Sequence, residues 1–371
     1  MGIALLISAF RPIPGALLRE LQSLRLHGPR AKEALRPVLS VLLAVTAAAI
    51  LNLDDLSWAA FSGFMVMRGS VAETIPRGLM RIGGTIGGAL LGLLLAPGAA
   101  NSPMLLMLFL FAVSWIGIFQ SLATKYSYAW LFFGFTAGMV LTEALAAPDA
   151  VVHFAATRVA EITVGACSCL VVSSLFSNEP INKGQGALAA FWFGGVRDVL
   201  NEEWLRKHWP LLAHSTRGAL AVALLPLAWR WFGIRDFAQT AVTSYIVMIV
   251  SSTVVRERRH LTIYERMTHR TLGCLLGSIV ALLCINFFGT GFGTMALTLA
   301  VGVWIGYSIQ IGQEGIGYLG TQFTLGLLIT LVQGPGEITS VTPGLDRLLG
   351  IFIGSAMLCV LTIDWPLPAD N

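Results

Sequence analysis

Apolar stretches close to the length of a membrane crossing follow one another along most of this chain, separated by short polar segments. Six candidate spans fall in the first half: Pro37–Leu53, Leu56–Val71, Leu79–Pro97, Pro103–Phe119, Ser127–Ala147 and Ala155–Phe176. Six more fall in the second: Ser215–Phe232, Phe237–Val254, Thr271–Phe288, Phe292–Ile311, Ile316–Gln333 and Leu345–Ile363. Backbone groups in lipid must be paired within their own segment, so these runs predict helices. Alternating strands of barrel type are absent from the pattern.

The two sets of spans are copies of each other. Arg81, Trp115, Arg158 and Gly165 recur 189 positions on, as Arg270, Trp304, Arg347 and Gly354. Upstream the offset is 181, from Arg36 to Arg217, Asp55 to Asp236, Phe64 to Tyr245 and Met67 to Met248. The eight-residue difference falls in Arg256–Met267, which predicts a charged extension of span eight or nine. An even number of spans per copy makes both copies enter from the same side. The expected fold is an all-α polytopic membrane protein of about 12 transmembrane helices in two parallel six-helix repeats.

Composition agrees: 56% of residues are hydrophobic and only 12% are charged. Charge placement adds orientation. Of the 24 Lys and Arg, all but Arg158, Arg230, Arg235 and Arg347 fall on one face of the predicted topology. That face is then cytoplasmic, with both termini inside. The basic residues read as a retention signal and a contact for anionic lipids, not as a nucleic-acid surface. The five cysteines all lie in apolar spans without metal-ligand spacing, so they read as small buried residues.

The segments divide as follows. Residues 1–36 form a cytoplasmic amino-terminal piece, without the layout of a signal peptide. Within it Arg11–His27 predicts an interfacial helix, with Leu17, Leu21 and Leu24 on one face and Arg19, Glu20 and Arg25 opposite. Residues 37–176 are the first repeat, 177–213 a cytoplasmic linker, 214–363 the second repeat and 364–371 a cytoplasmic tail.

Candidate chemistry is sparse. Gly84, Gly88 and Gly92 lie on one stripe of span three, and Gly273 and Gly277 repeat it in span nine; small residues at this spacing let helices pack closely. Arg158 and Arg347 each open the last span of a half, where a guanidinium needs a partner or a wet cavity. The fork suits a carboxylate substrate; a structural ion pair is the alternative, with Glu161 one turn after Arg158. Glu143 and Glu161 are candidates for proton coupling. Gln120, Gln310, Gln322 and Gln333 are further intramembrane polar groups. No Walker motif, metal cluster or nucleophile constellation stands out, so no cofactor or enzyme activity is expected.

At Asp55-Leu-Ser-Trp-Ala-Ala-Phe-Ser, at Arg81-x-x-Gly-Thr-x-x-Gly and at Arg158 to Gly165 with its repeat, the chain resembles the fusaric acid resistance and aromatic acid exporter family. The resemblance extends over residues 30–365. It implies an exporter of hydrophobic carboxylates in the bacterial inner membrane, driven by the proton gradient. Its partners would be small organic anions and membrane lipids, with no nucleic acid; a homo-oligomer stays open. The alternatives are a major-facilitator transporter and a non-transporting scaffold or lipid-interacting factor. The loop Arg68–Arg81 lacks the Gly-Asp-Arg-rich signature of the former.

Overall fold

The computed structural model describes residues 2–176, 202–227, 243, 245–248, 252–256, 260–332 and 342–363. Every regular element among them is helical. In chain order these are α1 (Gly2–Phe10), α2 (Ile13–Gln22), α3 (Pro29–Ile50), α4 (Leu56–Val66), α5 (Val71–Asn101), α6 (Pro103–Ala123), α7 (Ser127–Ala146) and α8 (Val151–Leu175). Then come α9 (Glu202–Ala223), α10 (Ser252–Arg256), α11 (His260–Phe288), α12 (Phe292–Gln310), α13 (Gly317–Leu331) and α14 (Thr342–Ile363). Among the described residues, seven stretches are long and apolar enough to cross a membrane. Much of their apolar surface faces outward, for example Leu90, Leu94, Leu283 and Phe292. That is the pattern of a multi-pass membrane protein, since a soluble domain would hide such surface.

Local signals set several helix ends. Asp55 caps α4, its carboxylate accepting from Ser57 N at 3.0 Å. Ser70 caps α5 by accepting from Glu73 N, and Ser102 caps α6 by accepting from Leu105 N. Two expected spans differ from the sequence reading. The second stops at Val66, because Met67 turns extended (ψ 132°) and Ser70 already starts α5. Eleven residues rise only about 16 Å, too short to cross. The eleventh, α13, holds 15 residues. The expected charged extension belongs to span nine, since α11 begins at His260.

Helix packing follows the glycine stripes. A Cβ at Gly84 or Gly88 would collide with the backbone carbonyl of Ala129 or Phe133 in α7. One at Gly92 would lie 2.7 Å from Val140 Cβ. In the second half a Cβ at Gly273 would lie 2.6 Å from the Leu319 carbonyl oxygen, and one at Gly277 would collide with that of Phe323 in α13. The missing side chains are what allow α5 to lie on α7 and α11 on α13.

Contacts between the halves are reciprocal. Helix α6 packs on α9, and its counterpart α12 packs on α3. Trp115 Nε1 donates to Thr216 Oγ1 (3.1 Å), while Trp304 Nε1 donates to the Ala31 carbonyl (3.3 Å). The 189 offset slips by one within α7 and α13. Ala129 and Phe133 are matched in packing by Leu319 and Phe323, 190 positions on. The second half carries the extra residue in the turn at 311–316, against 124–126 in the first. Gly315 there has φ +77°, a left-handed conformation that favours glycine.

The amino-terminal reading needs one correction. Helix α2 buries Ile13, Ala16 and Glu20, while Leu21 is exposed. Glu20 was expected on the polar face, yet it is only 2% exposed. Its carboxylate accepts from Glu314 N (2.9 Å) and pairs with Arg30 against the 311–316 turn. Most of the linker and of span eight, the tail, Asp236, Gln333 and the Arg347 side chain lie outside what is described.

Candidate functional site

The end of α4 and the starts of α5, α7 and α13 converge on a cavity of about 480 Å³. Its lining draws on both halves: Phe64, Met65, Arg77, Tyr128 and Phe132 from the first, Ile246, Arg266, Gln310, Tyr318 and Gln322 from the second. Arg68 and Lys125 add two more cations. Four lining residues are basic and none is acidic, so the field inside favours an anion. The aromatic rings offer an apolar body the stacking surface it needs.

The arginines are placed by a duplicated hydrogen-bond pattern. Arg77 Nε donates to the Met65 carbonyl (3.0 Å), and Arg266 Nη2 donates to that of Ile246 (3.2 Å). Arg77 to Arg266 is 189 positions, and Met65 to Ile246 is 181. Met65 lies in the last turn of α4, where orphan carbonyls and the negative helix end suit a cation. One turn further, Arg81 Nε donates to Ser62 Oγ (3.0 Å), and Arg270 Nε to Thr243 Oγ1 (3.2 Å). These pairs obey the same two offsets. The Arg77 guanidinium lies 3.6 Å over the Tyr128 ring, and that of Arg266 lies 4.6 Å over Tyr318.

Arg158 lies elsewhere. It sits near the opposite end of α4, 3.0 Å from a Glu161 oxygen and 3.9 Å from Asp55. The Glu161 contact is an ion pair without hydrogen-bond alignment: Arg158 Nη1 and Glu161 Oε2 both lack a hydrogen-bond partner. The guanidinium packs 4.4 Å over Trp58 and 5.0 Å over Phe154. Glu161 Oε1 accepts from Asp55 N (2.9 Å), tying α8 to the start of α4. Glu143 is half-buried on α7, within electrostatic reach of Arg158. None of these three lines the cavity. Gly350 and Asp346 make the second half differ at the positions around Arg347.

Sequence reasoning missed Arg77 and Arg266, and it used Arg81 and Arg270 only as markers of the duplication. The signal was present as an Arg-x-x-x-Arg pair, one helical turn apart, repeated at 189.

Residues 31–206 match the model of the Fusaric acid resistance protein family. The chain resembles that family. The "Uncharacterized transporter YdhK" of Escherichia coli (strain K12) is 33% identical over 158 residues, covering 40% of this chain and 23% of that protein. Its namesake in Salmonella typhimurium is 35% identical over 112 residues, covering 29% of this chain and 16% of that protein. The "p-hydroxybenzoic acid efflux pump subunit AaeB" of Musicola paradisiaca is 27% identical over 166 residues, covering 42% of this chain and 26% of that protein. The matched segments thus span about a quarter or less of these curated relatives. No solved structure matches the chain.

Proposed function

We propose that this chain is a secondary transporter that exports small hydrophobic or aromatic carboxylates across the bacterial inner membrane. The observation that carries the reading is the cavity between the halves, rimmed by four cations and walled by rings, with no acidic lining residue. An aromatic acid needs those two things, a cation for its carboxylate and a face for its ring. The name of the AaeB relative, a p-hydroxybenzoic acid efflux pump subunit, supports the substrate class. The architecture proposed is twelve helices in two parallel repeats, with the cavity opening to the cytoplasm. The reciprocal α6–α9 and α12–α3 contacts support it. The glycine-packed pairs α5–α7 and α11–α13 act as rigid walls, through Gly84, Gly88, Gly92, Gly273 and Gly277.

Helix α4 joins the cavity to the Arg158 cluster about 16 Å away along its axis. In this scheme Arg158 and Arg347 meet the carboxylate on its way out. Protonation of Glu161, with Glu143 nearby, releases Arg158 from its ion pair. The membrane potential supplies about 2.3 kcal/mol per charge per 100 mV, enough to move an anion outward.

Transport by inverted membrane vesicles tests the reading. An imposed pH gradient should drive uptake of 4-hydroxybenzoate, and Glu161→Gln should leave binding but uncouple uptake from the gradient. Vesicles that bind the acid but never accumulate it would favour a non-transporting lipid or scaffold role. Uptake that ignores a protonophore and needs ATP would reject proton coupling.

A further inference from the structure

Arg81 and Arg270 are wholly buried, each with relative exposure 0%. Each leaves Nη2 without an acceptor. The hydrogen-bond acceptors found for them are neutral: Ser62 Oγ and Tyr128 Oη for Arg81, Thr243 Oγ1 and Gln322 Oε1 for Arg270. Among the described residues no carboxylate lies within ion-pair distance of either guanidinium. Burying a guanidinium without a counter-charge is costly, and neutral acceptors and rings offset only part of that. Two such groups, each with an unpartnered Nη2, stand at positions 189 residues apart in the two halves.

We infer that Nη2 of Arg81 and Nη2 of Arg270 are two anion-binding positions, one per half, each taking a carboxylate from the cavity. The inference deepens the transport reading by naming the groups that hold the charge and the number they hold. Tyr128, Phe132 and Gln322 touch the arginines and also line the cavity, so it ends one side chain short of each guanidinium. In both copies Nη1 is held by a neutral side-chain oxygen, Tyr128 Oη at 3.2 Å or Gln322 Oε1 at 2.8 Å. A carboxylate arriving end-on takes Nη1 and Nη2 together. It displaces one neutral acceptor and fills the vacant nitrogen, in the two-pronged geometry that favours Arg.

Calorimetric titration of the purified full chain with 4-hydroxybenzoate tests this. Two carboxylates should bind per chain and raise the melting temperature, while 4-hydroxybenzyl alcohol, which lacks the carboxylate, should do neither. Arg81→Gln and Arg270→Gln should each leave one binding event, and each should melt no lower than the parent without ligand, because an uncompensated charge has gone. Arg→Lys at either place should keep the event but weaken it at least tenfold. Saturation at one anion or none in the parent, or equal binding of the alcohol, overturns the inference without use of any variant. Gln variants that melt lower yet still bind two anions overturn it as well, by making the arginines structural. Transport with one bound anion would fail this inference alone; two bound anions without transport would fail the transport reading alone.

Discussion

Arg81 and Arg270 hold matched places, and one position beside them separates the two copies. Phe132 lies face-on to Arg81, 4.0 Å from its guanidinium carbon. At the packing-equivalent position 190 residues on stands Gln322, which accepts from Arg270 at 2.8 Å. Phe61 adds a second ring to the first copy at 5.0 Å, and Cys274 adds a thiol donor to Gln322 at 3.5 Å in the second. A desolvated cation–π contact stabilises by about 2 kcal/mol, and a hydrogen bond to a charged group by about 1.5–3 kcal/mol. The two solutions are therefore close in energy. What differs is the wall each shows to the cavity, aromatic on one side and amide on the other. The two halves share the cation and its hydroxyl acceptor and differ in the surface beside them. Anions held one per half would therefore meet different neighbours, a ring beside Arg81 and an amide beside Arg270.

The largest effects should come where the copies have not diverged. Gly88→Leu and Gly277→Leu each push a side chain into a backbone carbonyl of the neighbouring helix, which cannot yield as a side chain tip would. Each should cost more than about 4 kcal/mol, the range of severe core disruption. Membrane abundance measured by immunoblot should fall to background for both. If Gly277→Leu accumulated normally while Gly88→Leu did not, the second helix pair would be more yielding than the first, and the matched-wall picture would fail.

Exchanging the divergent position should do less to stability and more to selectivity. Phe132→Gln gives the first copy an amide, and Gln322→Phe gives the second a ring. Because one interaction replaces another of similar size, each variant should stay within about 1.5 kcal/mol of the parent in melting experiments. Discrimination between 4-hydroxybenzoate and cyclohexanecarboxylate should fall in Phe132→Gln, which loses a stacking face. In Gln322→Phe the preference for the hydroxylated acid over benzoate should fall instead. Equal selectivity changes in both variants would mean that the two walls do not discriminate between ligands differently.

Much of this frame was legible in the sequence. Arg81 and Arg270 share the fixed spacing from which two repeats are expected, and Gly84, Gly88 and Gly273 revealed close helix pairs through a four-residue period. The site was harder to read. The acceptors that position Arg77 and Arg266 are main-chain carbonyls at Met65 and Ile246, and a backbone carbonyl has no letter in the sequence. Arg158 drew notice because it stood on the face poor in cations, whereas Arg77 and Arg266 were hidden among many basic neighbours. The short α4 also escaped. The expected span ran through Val71, past Arg68, Gly69 and Ser70, whereas the extended backbone at Met67 ends the helix at Val66. The one-residue slip between α7 and α13 is a turn property, visible once Ala129 and Leu319 are seen making the same contact.

The turns before α7 and α13 extend the comparison to the amino-terminal segment. The longer turn at 311–316 is held from outside its own half. Arg30 Nε donates to the Ser308 carbonyl (3.0 Å), Arg19 pairs with Glu314 (2.7 Å), and Glu20 accepts from Glu314 N (2.9 Å). Burial pulls the Glu20 carboxyl upward, but the Arg30 hydrogen bond, the Glu314 N–H and the Arg30 charge outweigh it and hold it below its ordinary 4.5. A carboxylate whose folded value is depressed contributes stability above its unfolded value and loses it as pH falls through the folded one. Glu20→Gln should therefore cost on the order of 1 kcal/mol at neutral pH, less than a fully desolvated pair because Arg30 is partly open to solvent. The parent's advantage over Glu20→Gln should shrink once the pH drops below 4.5. Melting curves of both proteins in the same detergent, from neutral pH downward, measure it. An advantage that stayed constant or grew on acidification would show that Glu20 holds the turn by shape and not by charge. The amino-terminal helix would then be a packing element for the second copy, without an electrostatic latch.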